Sequence, residues 1–303
     1  MHPRHLKSRQ SRSFRVRRRI RAITASGLFV VLLGLIIFAF SYLSSLPALS
    51  IINVVISGTD KGQSEIIHSA VIEALQGKYF GILARSSAFI YPKATIKTEI
   101  KKSFLDVEDV TIERDGLKTL TVSVSEKTPS ALICNTLPDF NGNELSLEDP
   151  GSCYFVDSYG LIFKKSPSFS GSPYNRYYTP DLASTSLIGL YATSTSKFSA
   201  LQKFYNSAKN NGISVEAILI NNSNEYELYA KNPIISKASV NANSGASTVV
   251  IYFNDSSSLE DQLSNLISFW VNMVNTAETK NKSLEFDYID VRYGANVFYT
   301  EVK

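Results

Sequence analysis

Histidine is nearly absent from this chain. There are three in 303 residues: His2 and His5 inside a basic N-terminal segment, and His68 alone beyond it. A Ser–His–Asp or Cys–His relay, or a histidine-rich metal site, therefore starts with a single candidate imidazole. Cysteine is limited to Cys134 and Cys153, which excludes a disulfide-dense scaffold. No acid precedes Asp60, and no charge of either sign lies between Ala22 and Thr59. G-x-S-x-G, Walker A, G-x-G-x-x-G, H-E-x-x-H and EF-hand loops do not occur. The chain does hold 44% hydrophobic residues against 19% charged ones, which excludes a wholly disordered chain. Its length predicts two domains.

The formal charge of +4 is unevenly placed. Residues 1–21 carry nine Arg or Lys and no acid, leaving 22 basic residues against 27 acidic ones in the rest, a net of −5. This is a mildly acidic body with a basic head, so the high pI does not argue for a nucleic-acid partner. Behind the head, Ala22–Tyr42 is an apolar run of 21 residues, twelve of them Leu, Ile, Val or Phe. At about 1.5 Å per residue it reaches roughly 31 Å, the thickness of a hydrocarbon core. Those twelve side chains favour insertion by about 5 kcal/mol in total, more than Thr24, Ser26 and Ser41 oppose it. A membrane helix over 22–46 is predicted, with 1–21 as a cytoplasmic basic tail held there by the positive-inside rule and free to contact anionic lipid. A cleaved signal peptide is the competing reading. It fits less well, because the run is long and Ser45-Leu46-Pro47-Ala48-Leu49 is a poor cleavage site.

Beyond the anchor, residues 50–127 read as one small α+β domain. Ile51–Ser57 is a strand ended by Gly58. Ser64–Gln76 places Ile66, Ile67, Ala70, Val71, Ala74 and Leu75 on one helical stripe. Pro92 opens a second helix with Ile96, Ile100 and Phe104 facing inward. Val110 and Ile112, then Leu120, Val122 and Val124, alternate with polar residues as two strands joined near Asp115-Gly116. The order β-α-α-β-β implies a three-stranded sheet with both helices on one face.

Residues 128–303 read as a mixed or antiparallel β domain with two helices. Ala131–Cys134, Cys153–Val156 and Leu161–Phe163 are short strands, the last two joined at Asp157-Ser158-Tyr159-Gly160. Residues 164–196, rich in Ser, Pro, Thr and Tyr, read as a long surface loop or insertion. Lys197–Asn211 is helical, followed by strands at Ser214–Ile220, Glu225–Ala230 and Thr248–Phe253. The Ser/Asn-rich stretch Ser236–Ser247 reads as a flexible hairpin connection. A longer helix over about Ser258–Thr276 stacks Leu259, Leu263, Leu266, Ile267, Trp270, Val271 and Val274, with Trp270 as a core anchor. Two strands, Leu284–Arg292 and Asn296–Val302, end the chain.

Several of these segments resemble one family. Val54-Val55-Ile56-Ser57-Gly58, Leu75-Gln76-Gly77-Lys78-Tyr79-Phe80, Val110–Arg114 and Leu120–Pro129 are similar, in order, to the POTRA domain of the FtsQ/DivIB bacterial cell-division proteins. Tyr154–Phe163 resembles that family's Y-x-V-D-x-x-G-x-x-F hairpin. Tyr288-Ile289-Asp290-Val291-Arg292-Tyr293-Gly294-Ala295-Asn296-Val297-Phe298-Tyr299 resembles its terminal Y-I-D-[LV]-R-[FY] motif. The likeness spans about residues 15–303 and is patchy at 135–152, 164–196 and 232–247. It implies a non-enzymatic divisome scaffold with no cofactor, held by one helix in the cell (inner) membrane at the division septum with its bulk outside the cytoplasm. Its implied partners are single-pass division proteins of the FtsB/DivIC and FtsL type, with lipid met only through the anchor and no nucleic acid or small-molecule substrate. Partner contact then falls at Tyr293, Gly294, Val297 and Tyr299, with Val297 and Tyr299 offering one apolar face of a terminal edge strand. The competing reading is that Tyr293 and Tyr299 merely pack on the sheet. Asp290 and Arg292 form either an orienting salt bridge or a solvated pair.

Two features remain. Cys134 and Cys153, 19 apart on neighbouring predicted strands, suit a disulfide worth about 3 kcal/mol. Two buried thiols are the alternative, and a metal site would lack nearby ligands. Ser194-Thr195-Ser196-Lys197 spells the S-x-x-K of penicillin-binding enzymes, without companion motifs around it. Other functions weighed are a different POTRA-bearing assembly or export protein, which would call for a β-barrel or further repeats, and a membrane-tethered cell-wall enzyme.

Overall fold

A computed structural model describes residues 10–141, 144–146, 153–169, 171–180, 182, 186–221, 224–233, 247–280 and 284–302. The chain is α+β, with five α-helices among the described residues, and divides into two compact units, Met1–Glu126 and Lys127–Lys303.

The first unit opens with one helix, α1 (Gln10–Ser44). It runs through the basic segment as well as the apolar run and stops two residues short of the predicted end at 46. Within it, Arg21–Ser44 is 24 residues long with mean hydropathy 2.6 and no buried residue in its apolar window, long and apolar enough to cross a membrane. Arg4, Lys7 and Arg9 lie outside the described residues. After a single 3₁₀ turn at Pro47–Leu49 come β1 (Asn53–Ser57), α2 (Lys61–Leu75), β2 (Lys78–Tyr79), β3 (Leu83–Ala84), α3 (Lys93–Ser103), β4 (Val107–Asp115) and β5 (Thr119–Glu126). The sheet order is β1-β5-β4, with β1 parallel and β4 antiparallel to β5. Ile67, Val71 and Leu75 of α2 and Ile96 and Ile100 of α3 are buried with Val110, Ile112, Leu120 and Val122. Ile66, placed on the buried stripe from sequence, is instead 59% exposed. The i, i+4, i+8 row of Ile67, Val71 and Leu75 fills the contact, and its neighbour turns to solvent. Asp60 caps α2 by accepting from the Gln63 N–H at 2.9 Å. Gly58 has φ +87, and a Cβ there would meet the Val124 carbonyl oxygen at 2.0 Å. The strand exit is thus closed to any other residue. The short β2–β3 hairpin between the helices was not predicted.

The second unit is built on one nine-stranded sheet. Its strands are β6 (Ala131–Cys134), β9 (Cys153–Val156), β10 (Ile162–Lys165), β11 (Arg176–Tyr178), β12 (Ser214–Ile220), β13 (Glu225–Lys231), β14 (Thr248–Asn254), β15 (Phe286–Tyr293) and β16 (Asn296–Glu301). The order is β10-β9-β6-β11-β12-β13-β14-β15-β16. It is mixed: β6–β11, β11–β12 and β14–β15 are parallel and the other pairs antiparallel. Helices α4 (Thr195–Asn210) and α5 (Leu259–Lys280) cover one face. Phe198, Leu201, Phe204 and Tyr205 from α4, and Leu266 and Trp270 from α5, are buried there against Ile133, Ile218, Leu228, Ile251, Phe286 and Ile289. Trp270 is the core anchor expected of it, 4% exposed. Val271, placed in the same stripe, is 43% exposed. The buried row of α5 runs through Gln262, Leu266, Trp270 and Ala277 instead. Gln262 earns its place by donating to the Asn254 carbonyl (2.8 Å) and accepting from the Asn254 N–H (3.0 Å).

The surface-loop reading of 164–196 needs correction. Arg176–Tyr178 is a strand in the interior of the sheet, parallel to both neighbours and buried at every residue. Leu187 and Ala192 are buried too. A three-residue strand covered on both faces shows no alternation, and its Ser/Pro-rich flanks hid it. The proposed Ser236–Ser247 connection lies, apart from Ser247, outside the described residues.

Candidate functional site

The opposite face of the large sheet is covered unevenly. Over its middle strands, a small hairpin of β7 (Phe140–Asn141) and β8 (Glu144–Leu145) packs Phe140 against Tyr229 of β13. Leu145 packs with Cys134, Cys153, Tyr178, Leu219 and Tyr229, and its N–H donates to Thr248 Oγ1 at 2.9 Å. Cys134 and Cys153, paired across β6 and β9, are joined as a disulfide in this cluster and are fully buried.

At one end of the sheet, β15 turns through Gly294 (φ +66) into β16. Glycine takes that left-handed conformation without strain. Among the described residues, β16 pairs with β15 alone and is the last strand of the sheet. The Val302 N–H donates inward to the Glu285 carbonyl at 2.9 Å. Successive residues of a pleated strand point alternately to either side, so the N–H groups of Glu301, Tyr299 and Val297 face away from β15.

The four residues picked from sequence all lie on this hairpin, on two different faces. Val297 and Tyr299 share the α5 face. Val297 is half-buried against the core, and the Tyr299 ring sits 5.0 Å from Phe269 and 5.8 Å from Phe286, still 42% exposed. Their apolar face is thus already partly occupied by the chain's own helix. Tyr293, 59% exposed, meets Phe298 edge-on at 5.6 Å on the other face. Gly294 offers its carbonyl to Asn265 Nδ2 at 2.7 Å, tying the turn to α5.

Phe298 was missed, although it is 52% exposed and opposite Asp290. The signal was available, since a residue between Val297 and Tyr299 must point to the opposite face. Around it stand Tyr252, Tyr293 and Arg292. Arg292 grips Asp290 with two hydrogen bonds (Nη2 to Oδ2 2.6 Å, Nε to Oδ1 2.9 Å) and also reaches Glu225 Oε1 at 3.1 Å. Its guanidinium lies 5.2 Å from the Tyr252 ring centre and 5.7 Å from that of Tyr293. Asp290 is 6% exposed, so the pair is ordered rather than solvated. The Asp290 hydrogen bonds hold the Arg292 pKa above its ordinary value. Burial raises the Tyr252 phenol, and the nearby Glu227 carboxylate adds to it.

Elsewhere, Ser194 of the S-x-x-K string is the N-cap of α4, accepting from the Lys197 N–H at 3.4 Å. Lys197 Nζ is turned to Asp255 at 2.7 Å. The string therefore works as a helix start. Among the described residues, no group of three or more His, Cys, Asp or Glu side chains converges as a metal site would. No family model matches this chain, and no curated protein matches it.

Proposed function

We propose that this protein is a membrane-anchored scaffold of the bacterial division machinery, of the FtsQ/DivIB kind, and works by binding other chains rather than by catalysis. The first unit outside the anchor is then a POTRA domain. The second docks single-pass partners of the FtsB/DivIC and FtsL type by adding a partner strand to β16. The observation that carries this reading is that β16 is, among the described residues, the last strand of a nine-stranded sheet and pairs with β15 alone. An edge strand with outward N–H and C=O groups accepts a new strand through main-chain hydrogen bonds. No proline interrupts Asn296–Glu301, and its single charge is Glu301. Exposed aromatics flank both sides of that edge: Tyr299 on the α5 face, Phe298 and Tyr293 on the other. They would supply the specificity that main-chain bonds lack.

The apolar stretch of α1 supports placement in the cell membrane with the basic end in the cytoplasm. The sequence likeness to the family supports the septum as the site of action. The test is co-purification of the full-length protein from membranes of dividing cells, with and without residues 296–303. The intact chain is expected to bring down small single-pass proteins that the shortened chain loses. Equal recovery by both would overturn strand addition at β16.

A further inference from the structure

The β2–β3 hairpin of the first unit breaks two local rules at one residue. Phe80 stands at its tip with φ +49, followed by Gly81 at φ +73, and the Ile82 N–H closes the turn on the Tyr79 carbonyl at 2.9 Å. Such turns favour Asn-Gly, because an aromatic residue is strained at positive φ. The Phe80 ring is also 97% exposed, and no aromatic partner meets it among the described residues. Strain and an unburied ring at one loop tip mark a residue whose surroundings are completed by something outside the chain.

The surroundings are set by α1. Ser41 Oγ donates to the Ile82 carbonyl at 2.8 Å, and the Ala84 N–H donates to Ser44 Oγ at 3.2 Å. These two bonds lay β3 along the last turn of the helix. From Ala22, the first residue after the basic segment, to Ser41 the helix rises about 28 Å. A hydrocarbon core is about 30 Å thick, so a helix entering it at Ala22 brings Ser41 to its far boundary. The hairpin tip is therefore at the depth where acyl chains meet headgroups. Ile82 is 39% exposed beside it, and Tyr42 and Leu43 of the helix are 63% and 49% exposed. Flanking the tip are residue types suited to that layer: Tyr79, Lys78, and Arg85 with its guanidinium 5.3 Å from the Tyr79 ring centre.

We infer that the β2–β3 hairpin is a second membrane contact, which inserts Phe80 and Ile82 into the outer edge of the lipid while Lys78 and Arg85 meet anionic headgroups. Lipid is the occupant because α1 carries the bilayer to this level. The hairpin then fixes the first unit against the membrane surface instead of leaving it on a free tether. This inference rests on α1 spanning the bilayer and is independent of partner binding at β16.

The test uses full-length protein in vesicles of phosphatidylcholine and phosphatidylglycerol whose acyl chains carry bromine near the headgroup. Trp270 is buried in the second unit, so wild-type protein sets the baseline. Phe80→Trp is expected to add blue-shifted emission that bromolipid removes. Ile82→Trp provides the same reading should the turn not tolerate tryptophan. Ile66→Trp is the water-facing control, since Ile66 is exposed near the end of α2 farthest from the hairpin. It should add emission that bromolipid leaves intact. Flotation with the vesicles checks the anchor separately. Floating protein whose Phe80→Trp and Ile82→Trp emission stays water-like and unquenched overturns the hairpin contact while leaving α1 in place. Protein that does not float overturns both.

Discussion

The two ends of the nine-stranded sheet are finished in opposite ways. At the β10 end the start of the edge strand is paired on its outer side. The Ile162 N–H donates to the Leu190 carbonyl at 2.9 Å, and the Ile162 carbonyl accepts from the Gly189 N–H at 2.8 Å. Leu161 bridges to Tyr191. One strand further in, the Cys134–Cys153 disulfide staples β6 to β9. At the β16 end none of these devices is present among the described residues. A longer strand, six residues against four, ends the sheet with no further strand beside it among the described residues. Natural sheets blunt their edges because an open one recruits other strands. A sheet that ties down the start of one edge strand, and leaves the other without a neighbour among the described residues, has the asymmetry that the proposed docking at β16 calls for.

That contrast can be broken from several sides. The largest effect on partner binding is expected from Tyr299→Pro, which removes an outward N–H from β16 without taking a bond from β15. Losing one or two ladder bonds of about 1 kcal/mol each should weaken partner binding roughly tenfold, measured by titrating purified partner against full-length protein in detergent. Unchanged affinity would mean the partner lies elsewhere. Next is the staple. Reducing Cys134–Cys153, or replacing both with Ala, should destabilise the second unit by about 3 kcal/mol in denaturant unfolding. Faster amide exchange should appear in β6, β9 and β10 and not in β16. A uniform increase across the sheet would deny that the two ends are independent.

Third is Arg292→Ala. Asp290 would be left buried without its fork, at a cost of about 2 kcal/mol, and exchange should quicken around the β15–β16 turn rather than at β10. Smallest is Phe140→Ala, which removes an edge-on contact with Tyr229 at 5.6 Å. A loss of about 0.5–1 kcal/mol is expected from thermal unfolding. A larger loss would show that the β7–β8 hairpin supports the whole face.

Much of this architecture is legible in the sequence where a pattern is long and one-sided. The apolar run behind nine basic residues gives α1, and the period of Phe198, Leu201, Phe204 and Tyr205 gives α4. Alternation at Leu120, Val122 and Val124 gives β5. Legibility fails where burial is two-sided or where a face must be chosen. Arg176–Tyr178 hides within polar flanks, the β2–β3 hairpin is two residues per strand, and Ile66 and Val271 are apolar yet exposed. The same limit holds at the candidate site. Tyr293, Gly294, Val297 and Tyr299 fall on one hairpin, and alternation puts Phe298 on the face opposite Val297 and Tyr299, but its 52% exposure there came only with the structure.

The sequence by itself determined the long one-sided apolar segments and the helix long and apolar enough to cross a membrane, because local periodicity and uninterrupted hydrophobicity are properties of neighbouring residues. Only the tertiary structure decided the strand order, and with it that β16 ends the sheet among the described residues and that Phe80, beside the end of α1, is left exposed. Pairing between distant strands is settled by competition for the whole core, which no short window contains.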